Sequence, residues 1–408
     1  MTKRVRTEEP VREQGVIRFE MPEDSLPEDH RARLVWRVVE GLDLSAFTSG
    51  AKAVVGRQGR PVKSVRMLLT LWLYAISVGV GSARKIARLT MSDDAFRWIV
   101  GDQRVSHSGL STFRVGHGAA LEKLFTDVLG VLLQKGLLSL DLVAQDGTRV
   151  RASASAPSFR REASLKECRE QAALHLKAVL AEQNDAEASE AERRARLAAA
   201  RSLQTRVEEA ITRVTELQEM GSEAPRATTT DADAHVMKMG DGGYRPAYNV
   251  QMATAGSPLG GPRTIVGILV NNVGTDMGSV TPMLEQIEQR TGKLPKALLA
   301  DAGHAKHTCI ESAMRSGVDV LIPVPKAQQH STKATSDEVV AWRLRMKTDE
   351  AKKLYRARAS LCELPNANLK AHQGVTQVLV RGLEKITCIA LLAGVAANVV
   401  HNLAGLLA

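Results

Sequence analysis

The 408-residue sequence predicts an α/β protein: a helix-covered sheet that follows an all-helical N-terminal part and is interrupted by a long helical insertion. Three observations predict it. Up to about Gly136, apolar residues recur at helical spacing behind Ser and Asp start signals. From Ala163 to Met220 almost every residue is a strong helix former. From Thr228 onward, short runs rich in branched residues alternate with helical ones. The expected division is a helical domain over 1–136 and an α/β domain over 137–408, with the insertion at 160–225.

In the first part, Met67 to Ala83 carries no charge, and Gly79 and Gly81 suit a buried helix ending in a turn. Between Asp43 and Asp93 there is no acid but eight basic residues, Lys52, Arg57, Arg60, Lys63, Arg66, Arg84, Lys85 and Arg88. In a chain with net charge +10, that gap points to a polyanionic partner. Aromatic residues make up only 3%, which favours recognition through phosphates and groove edges over base stacking. The helical part suits a helix-turn-helix arrangement with "SGLSTFR", ending at Arg114, as candidate recognition helix. A solvated helical bundle with basic loops is the plainer alternative.

In the insertion, Leu203, Val207, Ile211, Val214 and Leu217 repeat at spacings of three and four, as in a helical hairpin that bends near "EQNDAEASEAE". In the last part, "DGGYRPAYNVQMATA" reads as a turn entering a strand, and "RTIVGILVNNV" as a buried strand. "GSVTPMLEQIEQRTG" reads as a helix closed by Gly292. "KALLADAGHAKHTCIESAMRSG" reads as strand, turn and helix, and "VDVLIPVP" as a further strand. Ile386 to Ala408 is long enough to cross a bilayer, but Gly394, Asn398, His401, Asn402 and Gly405 gather on one helical face. An amphipathic helix packed on protein is expected there, with no membrane partner.

"LVAQDGTRVRASAS" ends an apolar run in Asp146 and then turns basic at Arg149 and Arg151. Asp-Gly is a favoured hairpin turn, so a β-hairpin at Asp146–Gly147 is one reading. Asp301 supplies the other. It also ends an apolar run just before a glycine and a base, at the carboxyl end of a strand, where open α/β sheets place ligands. If the two strands are neighbours, the carboxylates meet at one rim and need a cation between them, for which Mg²⁺ is the natural choice beside phosphate. Glu363 is a third candidate, with Lys370 two helical turns on, although Pro365 places Glu363 at a kink or just before a helix start.

Together, "DGTRVRASAS", "DGGYRPAYNVQ", "LLADAGH", "LIPVPK" and "CELPNANLKAHQG" resemble the DDE transposases of bacterial insertion sequences. "GRPVKSVRMLLTLWLYAISVGVGSARKIARL" and "DDAFRWIVGDQRVSHSGLSTFR" resemble the basic N-terminal domain of that group. The resemblance implies a ribonuclease-H-like mixed sheet and a metal-binding triad of Asp146, Asp301 and Glu363. It implies Mg²⁺ as cofactor, with Mn²⁺ able to substitute. It matches Tyr355, Arg358 and Lys370 to the tyrosine, arginine and base around the glutamate, with four residues between Arg358 and Glu363 where some relatives have three. Many relatives carry an aromatic residue where this chain has His304.

The implied activity is metal-dependent phosphodiester hydrolysis at transposon ends, followed by joining of the freed 3′-hydroxyl to target DNA. The implied partners are double-stranded DNA, as terminal inverted repeats and as target, and a second copy of the chain when two ends are paired. The basic helical part, with Arg84, Lys85, Arg88 and Arg114, would bind the ends. The four scattered cysteines and the charged N-terminus suit a reducing cytoplasm, here the bacterial nucleoid. Rival readings are a non-catalytic DNA-binding remnant and a nuclease that does not join strands. A zinc site at Asp301, His304, His307 and Cys309 matches no common ligand spacing. No P-loop, nucleophile elbow or complete dinucleotide fingerprint is present. Asp231, Asp233, Asp241 and Asp276 are alternative acids, and the first three sit in loop or turn stretches that favour a structural role.

Overall fold

The computed structural model describes residues 21–49, 62–182, 189–257, 259–326, 336–367, 370 and 376–408. Lys52, Arg57, Arg60 and most of the expected insertion bend lie outside them. The chain is mixed α/β.

The N-terminal part is helical: α1 (Arg31–Glu40), α2 (Val65–Ser77), α3 (Ala83–Ser92), α4 (Asp94–Val100), α5 (His107–Val115) and α6 (Gly118–Gln134). The start signals work as the sequence suggests. Ser64, Ser82, Asp93 and Ser106 each accept a hydrogen bond from a backbone N–H in the first turn of the helix that follows. Every residue of α2 from Leu69 to Ile76 is buried, which explains why that run tolerates no charge. Gly79 takes a positive φ of 77°, which a side chain rarely adopts, and closes the turn after α2.

β1 (Leu142–Arg151) opens the sheet. It does not turn at Asp146–Gly147, so the hairpin reading is corrected: the pair lies mid-strand, with Asp146 opposite Met252 and Gly147 opposite Gln251. The glycine serves a close approach, because a Cβ there would collide with the side chains of Gln251 and Asp276. β2 (Phe159–Arg160) and β3 (Ala227–Thr228) make a two-stranded ribbon at the base of the insertion. The insertion itself is α7 (Glu162–Ala181) packed along α8 (Glu190–Glu219). Leu165, Ala210, Val214 and Ala227 form a small apolar cluster of their own beneath it.

The rest of the sheet comprises β4 (His235–Lys238), β5 (Tyr244–Ala255), β6 (Thr264–Asn271), β7 (Ala297–Leu299) and β8 (Asp319–Leu321). β5 runs antiparallel to β1 on one edge and shares its other edge between β4 and β6, while β7 and β8 continue beyond β1 in parallel. The sheet is therefore mixed. α9 (Val280–Thr291) ends at Gly292 in the left-handed conformation, as its sequence suggests. α10 (His307–Arg315), α11 (Asp337–Arg345) and α12 (Asp349–Tyr355) cover the β7–β8 side, where Trp342 is fully buried and donates to the Ile322 carbonyl at 2.9 Å. A five-residue π-helical turn, Ala359–Glu363, leads into the short α13 (Leu364–Ala367).

The chain ends in α14 (Leu383–His401) and α15 (Leu403–Leu407). α14 is long and apolar enough to span a membrane, but most of it is buried against α2, α5, α6 and β6. Of the polar face read from the sequence, Asn398 and Asn402 point inward, while His401 is exposed. Asn398 Oδ1 accepts from the Ile265 N–H at 2.7 Å and its Nδ2 donates to the Ile265 carbonyl at 2.8 Å, so one side chain satisfies part of the free edge of β6. Gly394 lets the helix approach Ile268 and Phe125. One continuous core runs from α1 through the sheet to α14. Arg290 on α9 reinforces it, lying 4.5 Å over the Phe125 ring and donating to Glu122 on α6 at 2.6 Å.

Candidate active site

Strand register brings the two aspartates together. Ala144 on β1 is level with Leu299 on β7 in a parallel pair, and Asp146 and Asp301 each lie two residues further on. Side chains two residues apart share a face of the sheet, so the carboxylates stand side by side at the rim. Asp146 is largely buried: Asn366 Nδ2 donates to its Oδ2 at 3.0 Å, and Arg358 Nη1 is 3.7 Å from its Oδ1. The same guanidinium reaches Glu363, with Nη2 4.0 Å from Oε1. Glu363 is the exposed member, its side chain 66% accessible against 23% for Asp146.

Local sequence explains where Glu363 sits. Pro365 has no N–H to give the ladder of a regular helix, and the chain answers with the π turn that ends at Glu363, anchored by buried Leu361 and Cys362. Between Glu363 and Lys370 the chain is helical over 364–367, and residues 368–369 lie outside the described residues. Lys370 is nevertheless in electrostatic reach of Asp146 and Arg149.

The two aspartates are displaced in opposite directions. Burial raises the Asp146 carboxyl above its ordinary range, Arg358 opposes that rise, and the neighbouring charge of Asp301 adds to it. Asp301 is lowered, chiefly by its hydrogen bond with His304, against the opposing effect of burial. Burial pushes Lys370 down and Tyr355 up. Burial lowers the Arg358 pKa, but the groups around it, the Asp146 and Asp301 carboxylates among them, leave it raised overall.

Behind the acids lies a buried polar network that the sequence did not reveal. His304 is fully buried, with Nδ1 2.7 Å from Asp301 Oδ1 and Nε2 3.1 Å from Gln251 Oε1. Gln145 donates to Gln251 at 3.2 Å and to Ser279 Oγ at 2.9 Å. Asp276 accepts from Arg149, Asn249 and Gln251, so this alternative acid is spent on structure. Of these residues only the i, i+3 spacing of Asp301 and His304 was visible locally; the others converge through strand pairing. Asn366 was also missed, and nothing in its surroundings marks it.

Arg84, Lys85 and Arg88 lie exposed on α3. Arg114 turns inward instead: its guanidinium sits 4.6 Å over the Trp72 ring and donates to the Gly81 carbonyl at 2.8 Å, pinning the turn between α2 and α3. Burial pushes its pKa down to about 10. His307 packs edge-on against Trp342, away from any shared metal geometry with His304.

The donor chemistry of the rim fits a hard dication. Carboxylates of like charge are brought together, and the Asn366 Oδ1 beside them is buried without a hydrogen-bond partner. Among the described residues no three His, Cys, Asp or Glu side chains already stand at ligating distance, and Arg358 occupies the space between the acids.

A mixed sheet carries an acid cluster just past the end of the β1–β7 parallel pairing, and the family that the chain matches is one of nucleic-acid-processing enzymes. Two family matches make this specific. Residues 20–115 match a model described as a transposase domain (DUF772), and residues 224–399 match one described as a transposase DDE domain. The chain belongs to the DDE transposases of insertion sequences, and its substrate is DNA. Asp301 and Glu363 fall inside the second match, whereas Asp146 lies between the two. No curated protein and no solved structure matches the chain.

Proposed function

We propose that this transposase cuts DNA at the ends of its element by metal-dependent phosphodiester hydrolysis and joins the freed 3′-hydroxyl to target DNA. The observation that carries the reading is the register of β1 against β7, which sets Asp146 beside Asp301 with Arg358 linking Asp146 to Glu363. Asp146, Asp301 and Glu363 would hold Mg²⁺ or Mn²⁺. A bound dication would activate the attacking oxygen and stabilise the leaving one.

The chain's own residues supply the rest. Arg358 and Lys370 carry positive charge at the rim, where a scissile phosphate would lie, and Tyr355 backs Arg358. Arg84, Lys85 and Arg88 on exposed α3 suit phosphate contacts in a DNA-binding domain over 1–136, with the catalytic domain over 137–408 and the helical insertion at 160–225. Three antiparallel strands followed by two parallel ones support a ribonuclease-H-like sheet. Pairing two ends calls for two copies of the chain, working at the bacterial nucleoid.

Cleavage of duplexes bearing the element's ends, with Mg²⁺ or Mn²⁺, tests the proposal. Wild type should nick and join, and Asp146→Ala and Asp301→Ala should bind but not cut. Binding without cutting by wild type in either metal would instead favour a non-catalytic DNA-binding remnant, and cutting without joined product a simple nuclease.

A further inference from the structure

His304 is a fully buried imidazole with polar partners on both sides, directly behind the rim. Its orientation can be traced outward through the network. Asp276 accepts from the Arg149 guanidinium at 3.0 Å and from Asn249 at 2.8 Å, and a carboxylate paired with arginine can only accept. The Gln251 amide must therefore turn its NH₂ to Asp276, which leaves its carbonyl oxygen facing His304 Nε2 at 3.1 Å. Gln145 holds that same oxygen from the other side at 3.2 Å. Nε2 then donates to Gln251, and Nδ1, 2.7 Å from Asp301 Oδ1, faces a second acceptor, so the ring makes both hydrogen bonds only with an N–H on each nitrogen. The Gly303 N–H reaches the same Oδ1 at 2.9 Å, so Oδ1 is occupied twice over and Oδ2 is the oxygen left for a cation.

Resting on the metal reading above, we infer that His304 is a positioning residue that fixes which oxygen of Asp301 faces the metal site, with Gln251 as the strut that holds its ring. It does so through Nδ1. A side chain that merely filled the same volume would leave the Asp301 carboxylate held by the Gly303 N–H alone.

Asparagine and glutamine separate the two ring contacts, because the asparagine amide reaches about as far as Nδ1 and the glutamine amide about as far as Nε2. The experiment measures Mn²⁺ binding to the DNA-free protein by electron paramagnetic resonance, with thermal unfolding of each variant as a folding control. His304→Leu and His304→Gln should weaken Mn²⁺ binding by roughly 10- to 100-fold, the usual effect of losing a group that orients a ligand. His304→Asn should stay within about threefold of wild type by retaining the Asp301 contact. Binding by His304→Leu as tight as wild type, or by His304→Asn as weak as His304→Leu, overturns the inference while the metal reading stands. If His304→Leu does not unfold cooperatively, His304→Gln against His304→Asn carries the same decision. Wild type that binds no Mn²⁺ overturns the metal reading, and this inference with it.

Discussion

Two groups of aspartates flank the same sheet, and they differ in what their oxygens are doing. In the first, Asp231 accepts from the Tyr248 hydroxyl at 2.7 Å and the Gly382 N–H at 3.0 Å, and Asp233 accepts from the Leu383 N–H at 2.8 Å. These two cap the N-terminus of α14, where negative charge also meets the helix dipole. Asp276, with its three side-chain donors, belongs to the same class. In the second group, Asp146 has one side-chain amide donor and a loosely placed arginine, and burial, helped by the like charge of Asp301, raises its pKa. Glu363 is exposed and only distantly paired. Acids engaged by fixed donors build the fold, although Asp231 keeps one buried oxygen without a partner and burial raises its pKa. Acids crowded together and left short of partners are the ones available for chemistry.

The sharpest break between the two groups is catalytic. Asp146→Ala or Asp301→Ala should lower the rate of end cleavage by at least about a thousandfold in a gel assay, with little change in DNA affinity. Asp233→Ala should leave cleavage within tenfold; a loss as deep as that of Asp301→Ala would erase the distinction.

Next comes stability. Asp276→Ala leaves Arg149, Asn249 and Gln251 without their acceptor in a site where the Asp276 side chain is only 20% accessible, and should cost about 2–4 kcal/mol in urea unfolding. A cost below about 0.5 kcal/mol would move Asp276 out of the structural class.

Asp146→Asn should act in the opposite sense. Removing a desolvated charge from beside Asp301 should raise Tm by a few degrees, roughly 1 kcal/mol, while abolishing cleavage. An unchanged or lowered Tm would show that Asp146 is not under strain.

The smallest effect is the pH dependence of that gain. Asp146 has a raised folded pKa, so its penalty is present above that value and fades as pH falls through it and the acid becomes neutral. The stability advantage of Asp146→Asn over wild type should therefore shrink on acidification toward the ordinary carboxylate range. Asp301 behaves conversely: its folded pKa is depressed, so its contribution is full above the ordinary value and is lost only as pH falls through the depressed one. Carboxyl ¹³C titration of Asp146 and Asp301 should give midpoints on opposite sides of the ordinary value. Midpoints in the reverse order would contradict the different surroundings described for the two.

Features carried by a few neighbouring residues were legible in the sequence. Asp93 and Ser106 announced helix starts, Gly292 announced a helix end, and the uncharged run from Met67 announced a buried helix. The acids Asp146, Asp301 and Glu363 were legible as candidates because apolar runs lead into the first two and because the ordered motifs resemble a family. Arg114 could not be read correctly, since its exposure depends on Trp72 and Gly81, more than thirty residues upstream. Asn398 was legible as part of a polar face of α14, but its partner was not, because the β6 edge it serves is remote in the chain.

By itself, then, the sequence determined the helices and most of the strands, because capping, periodicity and turn chemistry act over a few residues, and it offered Asp146, Asp301 and Glu363 as candidates. Only the tertiary structure decided that Asp146–Gly147 runs straight through β1, that Asp146 lies level with Asp301, and that His304 is clasped by Gln251. Those outcomes depend on which strand lies alongside which and in what register. Pairing between strands separated by a hundred residues or more is set by burial of the whole core, and no local stretch encodes it.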